Sequence, residues 1–248
     1  MDKVSVIIPT YNRFHYLLNA IKSVKEQTYK NIEIIVVNDC SSQKEYYSFD
    51  FKEKFGKDFH IVHLPKNSKD IFGIVSPGGH ARNIGMMISS GKYIAFLDDD
   101  DYFLPNKIEK QLKFMKKKNC SISCSEAYCG KGPYQINSKY KTYHYNGKYW
   151  NALINIFKNQ NQSDLLIKMY ENNVGIWGKK EIDTHNCTCG GSSIIMKKNL
   201  IKKAGYFPIK NFGDDWEYWK KIIKYSDCVY IREPLTYIDI SHGDGKNY

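Results

Sequence analysis

Short, nearly continuous apolar runs at residues 4–8, 32–37 and 93–97 constrain the fold more than any other feature of this chain. A run of that length reads as a strand buried on both faces, as strands of a parallel sheet are. Between the first two runs, Leu17, Ala20, Ile21 and Val24 recur at helical spacing, so a helix connects them. Residues 61–64 read as a third strand and residues 80–90 as a short helix closed by Gly91. This alternation is the order of a doubly wound sheet, in which ligands bind at the carboxyl ends of the strands. Here those ends carry Pro9, Thr10, Tyr11 and Asn12, then Asn38 and Asp39, then Asp98, Asp99, Asp100 and Asp101. Polar clusters at three equivalent ends mark a site.

The second half is less regular. After Pro105, Ile108, Leu112 and Met115 share one face of an amphipathic helix. Residues 125–186 are rich in Tyr, Asn and Gly and read as variable loops and helices around a substrate. A strand over 192–196, a helix over 216–226 with Trp216, Trp219 and Ile223 on one face, and a last strand over 228–231 complete the chain. No internal repeat or linker divides it, and 248 residues suit a single α/β domain with a substantial core.

The composition, 42% hydrophobic and 25% charged, excludes a disordered chain. A net charge of +11 favours anionic ligands. The densest basic run, Lys116 to Lys118, closes a helix, where cations suit the dipole, and no aromatic-interleaved basic motif points to nucleic acid. Residues 4–8 are too short for a signal peptide or a membrane span, so no transmembrane segment is expected. Seven cysteines without a framework predict reduced thiols in the cytoplasm. His185, Cys187 and Cys189 invite zinc, but Cys-x-Cys is not the usual Cys-x-x-Cys knuckle, which favours plain thiols.

Several carboxylates at one strand end repel one another unless a cation neutralises them. Hard oxygen ligands at the spacing of Asp98 and Asp100 suit Mg2+ or Mn2+, which would bridge to a diphosphate. The alternative is an acidic loop, with Asp101 partly capping the helix after Pro105.

Residues 4–12, Val36-Val37-Asn38-Asp39, Ala81-Arg82-Asn83-Ile84-Gly85 and Phe96-Leu97-Asp98-Asp99-Asp100-Asp101 resemble, in order and spacing, the family 2 glycosyltransferases with the GT-A fold. Gly205-Tyr206-Phe207 and Gly213-Asp214-Asp215-Trp216-Glu217 are similar to that family's acceptor-side segment. The resemblance implies one α/β domain with a mixed, mainly parallel sheet. Residues 1–101 would bind the nucleotide sugar and residues 102–248 the acceptor. It also implies an inverting, metal-dependent transfer from a nucleoside-diphosphate sugar, a UDP-sugar, to a hydroxyl of a glycan, a lipid-linked or a protein acceptor. Asp215 resembles the general base, with Asp214 where Glu often stands; the other reading of this pair is a cap on the following helix. Pro9, Thr10, Tyr11, Asn12 and Arg13 resemble the loop around the nucleoside, Tyr11 offering a stacking face and Asn12 either a donor contact or a helix cap. Asp39 resembles the acid that reads the imide N–H of the base, or is a turn residue. Arg82 is read as a phosphate ligand, a salt bridge to Asp98, or both. Asp98 and Asp99 would hold the donor, and Asp98, Asp100 and His242 the ion; the other reading of His242 is a surface residue on a frayed tail.

The chain departs from the family in places. Asn38-Asp39-Cys40-Ser41 stands where Asp-Asp-Gly-Ser is common, and no Gln-x-x-Arg-Trp marks a processive synthase. Two other classes fit the sequence less well. A sugar-1-phosphate nucleotidyltransferase needs a Gly-rich loop after the first strand, which Pro9 to Arg13 is not. An inactive carbohydrate-binding module has no need of the acidic clusters.

Overall fold

The computed structural model describes residues 1–73, 78–184, 190–211 and 213–241, without the side chains of 144–148, 180, 183 and 184. The apolar runs form the strands they predict. β1 (Val4–Thr10), α1 (Phe14–Lys25), β2 (Ile32–Asn38), α2 (Glu45–Ser48), α3 (Phe51–Phe55) and β3 (Phe59–His63) build the first edge. α4 (Ser68–Phe72), α5 (Gly78–Ile88) and β4 (Tyr93–Phe96) follow. Then come β5 (Tyr102–Phe103), α6 (Lys107–Lys117), β6 (Ile122–Gly130), β7 (Lys141–Thr142), α7 (Tyr143–Asn159), α8 (Ser163–Asn172) and β8 (Val174–Trp177). α9 (Lys179–Thr184), β9 (Ile195–Lys197), α10 (Ile201–Ala204), α11 (Asp214–Ile223) and β10 (Cys228–Asp239) close the chain.

All strands join one sheet in the order β3-β2-β1-β4-β9-β6-β10-β5, with β7 on β6 and β8 on β10. β3, β2, β1 and β4 run parallel. β9 is antiparallel to both β4 and β6, so β6 and its parallel neighbour β10 point the same way as β4. The carboxyl ends of six strands therefore open on one edge. Alternate residues serve opposite faces, as the strand period demands. Val4, Val6 and Ile8 pack with α1 and α6 on one side, while Ile7, Ile94 and Phe96 pack with Trp150, Trp219 and Phe207 on the other.

Several sequence expectations are corrected. Pro9 does not end β1; the ladder with β4 stops at Ile7, so Pro9 has a strand on one side only and its missing N–H is tolerated. Residues 125–184 contain helices, as expected, but are more regular and more buried than variable loops. They finish β6 and build α7, α8 and β8, and Tyr149, Trp150, Leu153, Ile156 and Phe157 fill the core. Residues 192–196 begin as a 3-10 turn over Gly191–Ser193, and the strand starts at Ile195. α11 starts at Asp214, and its buried face is Tyr218, Trp219, Ile222 and Ile223; Trp216 is 41% exposed. The last strand is longer than 228–231 and runs to Asp239, with register shifts around Pro234.

Candidate active site

The carboxyl edge gathers the three predicted clusters and adds the end of β10. At the end of β1, the Thr10 hydroxyl donates to Asp99 Oδ2 at 2.7 Å. Its single proton is then used, so the Tyr46 hydroxyl, 2.6 Å away, donates to Thr10 Oγ1. Arg13 reaches back to the same strand end, 2.7 Å from Asp100 Oδ2 and 3.3 Å from Asp99 Oδ1. Tyr11 is half-buried beside them.

Asn12 is not the cap of α1. Arg13 holds that position without a side-chain cap, and the Phe14 N–H is satisfied by Gln43 Oε1 at 3.0 Å. Asn12 adopts a left-handed φ of 50°. Its Oδ1 accepts from the Ser42 N–H at 2.7 Å and the Gln43 N–H at 3.3 Å, so it ties the loop after β1 to the loop after β2. Asp39 is buried in that second loop, where its Oδ1 accepts from the Ser68 N–H and hydroxyl at 2.9 and 2.7 Å. Burial raises its pKa, against the lowering by the Ser68 donors.

Asp98 faces the other way, toward α5. Arg82 donates to Asp98 Oδ1 at 2.6 Å, and its Nη1 lies 3.7 Å from Asp214 Oδ2. That guanidinium spans strand-end and helix-end carboxylates. Gly79 makes the approach feasible: a Cβ there would lie 2.8 Å from Asp214 Oδ2. Asp214 is buried, and its Oδ2 has no hydrogen-bond partner among the described residues. Asp215 accepts from the Trp216 N–H at 2.7 Å, so a local backbone contact and an ionisable site coexist in one side chain. Burial raises the Asp215 pKa while Arg82 lowers it.

Asp101 does not cap α6, whose cap position is Asn106. It is buried, accepting from the Ser192 hydroxyl at 2.5 Å and from the Asp239 N–H at 3.1 Å. Burial drives the carboxyls of Asp99 and Asp101 upward, reinforced by Asp100. Ser192 Oγ also accepts from the Asp98 N–H at 2.9 Å. No motif in the sequence marks Tyr46 or Asp239 as part of this edge, and only the Gly190-Gly191-Ser192-Ser193 turn signals Ser192.

Among the described residues, no three His, Cys, Asp or Glu side chains are grouped to hold a metal ion. Asp98 and Asp100 instead carry guanidinium partners. His242, His185, Cys187 and Cys189 lie outside the described residues. Cys40, Cys120, Cys124, Cys129 and Cys228 form no disulfide, and Cys228 Sγ lies 3.5 Å from Cys124 Sγ. No helix of the described residues is long and apolar enough to cross a membrane.

The chain is similar in sequence and fold to known proteins. A Rickettsia bellii protein named an uncharacterized glycosyltransferase is 48% identical over 123 residues, which is 49% of this chain and 16% of that protein. An uncharacterized glycosyltransferase of Rickettsia typhi is 29% identical over 234 residues, 94% of this chain and 62% of its own. The Escherichia coli protein WfaP, named as a UDP-Glc:alpha-D-GlcNAc-diphosphoundecaprenol beta-1,3-glucosyltransferase, is 37% identical over 131 residues, 53% of this chain and 48% of WfaP. The chain thus spans less than two thirds of the length of each of these relatives. Among solved structures, S. aureus TarS 1-349 in complex with UDP-GlcNAc superposes with a TM-score of 0.69 at 18% identity, over 99% of this chain and 61% of that one. That likeness shows a shared GT-A fold. The family model described as Glycosyl transferase family 2 matches residues 5–173, more than half of the sequence, and the chain belongs to that family.

Proposed function

We propose that the chain is a non-processive, inverting glycosyltransferase. It moves a hexose from a UDP-sugar to an acceptor hydroxyl of a glycan, a lipid-linked saccharide or a protein. Mn2+ or Mg2+ binds at Asp98 and Asp100, with His242 as a further ligand. One observation carries this reading: the Arg82 guanidinium stands between Asp98 and Asp214, joining the strand-end acids to the helix-end acids. TarS bound to UDP-GlcNAc and the name of WfaP support a UDP-sugar donor.

The charge balance fits a cation. Asp98, Asp99, Asp100, Asp214 and Asp215 gather around Arg13 and Arg82, an excess of hard oxygen donors that suits a hard divalent ion. When bound, the ion supplies charge stabilisation for the leaving diphosphate. Asp215 takes the acceptor proton. The acceptor O–H breaks, its oxygen bonds to the anomeric carbon, and the bond from that carbon to the diphosphate oxygen breaks with its electron pair leaving on UDP. With Oδ1 committed to the Trp216 N–H, Oδ2 is the oxygen for that proton. The raised pKa makes Asp215 a stronger base than an exposed Asp. Arg13, paired with Asp100, offers a positive charge to the diphosphate.

The test is UDP release from a panel of UDP-sugars with Mn2+, with EDTA, and in Asp100→Asn and His242→Ala. EDTA should stop turnover, and Asp100→Asn should lose it at limiting Mn2+ while melting like the wild type. Full turnover of Asp100→Asn at limiting Mn2+ removes the ion from this site. An unchanged Mn2+ affinity in His242→Ala removes that ligand, and no stabilisation by any UDP-sugar removes the donor class.

A further inference from the structure

A chain of hydrogen bonds behind Asp39 has no part in the chemistry described above. Ser68 is fully buried at the start of α4. Its hydroxyl donates to Asp39 Oδ1 at 2.7 Å and lies 2.7 Å from His80 Nδ1 in the first turn of α5. A carboxylate only accepts, so the Ser68 proton points to Asp39, and the hydroxyl must accept from His80. The His80 tautomer is thereby fixed with its proton on Nδ1. The Ser68 N–H adds a second donor to the same Oδ1 at 2.9 Å. On the other side, Asn67 Nδ2 donates to the Asp39 backbone oxygen at 2.8 Å and makes only a long contact of 3.4 Å with Oδ2. The two oxygens of Asp39 are thus unequal: Oδ1 is saturated by protein donors and Oδ2 is not.

We infer that Ser68 and His80 are positioning residues that set the base specificity of the donor site, by holding Asp39 with Oδ2 turned outward to accept the imide N–H of a uracil ring. The inference rests on the reading of Asp39 as the base-facing acid and names the residues that make it so. Uracil presents a donor at N3, whereas cytosine presents an acceptor there. An outward carboxylate oxygen attracts the first and repels the second. Burial works against the ionised form of Asp39, and the donors from Ser68 work for it. Loss of the relay frees the carboxyl to rotate or to take a proton, and either change erases the distinction between the two rings.

The experiment measures UDP and CDP binding by calorimetry in the wild type, Asp39→Asn, Ser68→Ala, His80→Gln and His80→Asn. His80→Gln carries its amide near the position of Nε2, and His80→Asn near that of Nδ1. Ser68→Ala and His80→Gln should weaken UDP binding by about tenfold and leave CDP binding within about twofold, the scale of one hydrogen bond to a charged group. His80→Asn should restore UDP binding to within about threefold of wild type. Parallel loss of UDP and CDP affinity in Ser68→Ala and His80→Gln would mean a merely structural role and overturns the inference, as does wild-type selectivity in both. Asp39→Asn reports on the underlying reading separately: if it keeps the UDP preference, Asp39 does not face the base and the relay has nothing to position. Should Ser68→Ala fail to fold, the two His80 variants, at a half-buried position, decide the question alone.

Discussion

Arg82 shows how much of the site can hang on one side chain. Its guanidinium is buried with carboxylates on two sides, and Asp98, Asp214 and Asp215 raise its pKa against the desolvation that lowers it. Replacing it by Gln leaves buried acids without a counter-charge, a change that costs about 3–5 kcal/mol; urea unfolding should show that loss. Asp215→Asn is different, because the isosteric amide keeps its oxygen for the Trp216 N–H. Turnover should fall by roughly a hundredfold with donor affinity unchanged, read as a drop in kcat at constant donor Kd. Donor affinity falling in parallel would reassign Asp215 to structure. That Asp98, Asp100, Arg82 and the Asp214–Asp215 pair lie together was legible because the motifs themselves carry charge. The partners of Asn12 and Asp101 were not. Each is fixed by a contact with a residue distant in the chain, Ser42 for one and Ser192 and Asp239 for the other, and local capping rules contain no such information.

Elements hold the site edge by fastening their opposite ends. Glu33, at the start of β2, is buried and accepts from the Ser5 hydroxyl on β1, from the Ser90 N–H and hydroxyl at 2.6 and 2.5 Å, and from Lys3 at 3.1 Å. Burial alone would raise its pKa, but these donors overcome it and hold the carboxyl at about 2, against an ordinary 4.5. A depressed folded-state pKa contributes stability that is fully present above pH 4.5 and lost as pH falls toward 2. Thermal melts between pH 6 and 2.5 should therefore show a steeper acid loss in the wild type than in Glu33→Gln, which starts lower and is flatter; equal slopes would exclude the pin. The same strands meet α5 closely at Gly85, where a Cβ would run into Ile7 Cγ2. Gly85→Ala should cost about 1–3 kcal/mol by overpacking, measurable by urea unfolding. The short α2, α3 and α4 hold too few residues to show a period, whereas β1, β2, β4 and α1 were legible from bounded apolar runs or helical spacing. α7 was not, since its Tyr and Asn content diluted a pattern that Trp150, Leu153 and Phe157 nonetheless carry at helical spacing.

At the scale of the whole molecule, the core does not respect the expected division into residues 1–101 and 102–248. Ile7, Met86, Ile94 and Phe96 belong to the first part, yet they pack in one cluster with Trp150, Phe207, Trp219 and Tyr230 of the second. Phe96 alone meets Phe207 at 5.4 Å and Trp219 at 5.5 Å between ring centres. β4 also has its outer edge covered by β9, so a fragment ending at residue 101 would expose a row of unpaired backbone groups. Uncovering four large apolar side chains forfeits about 6–12 kcal/mol, at about 1.5–3 kcal/mol each. That loss is comparable with the entire stability of an ordinary domain, about 5–15 kcal/mol. The ion pairs within the first part survive in such a fragment, since Arg13 keeps Asp99 and Asp100, and Arg82 keeps Asp98; exposed pairs contribute too little to compensate. A fragment of residues 1–101 should therefore show no cooperative thermal transition and no fixed aromatic environment by near-ultraviolet circular dichroism, and co-expression with residues 102–248 should restore both. A sharp transition in the isolated fragment would mean that residues 1–101 are an autonomous unit.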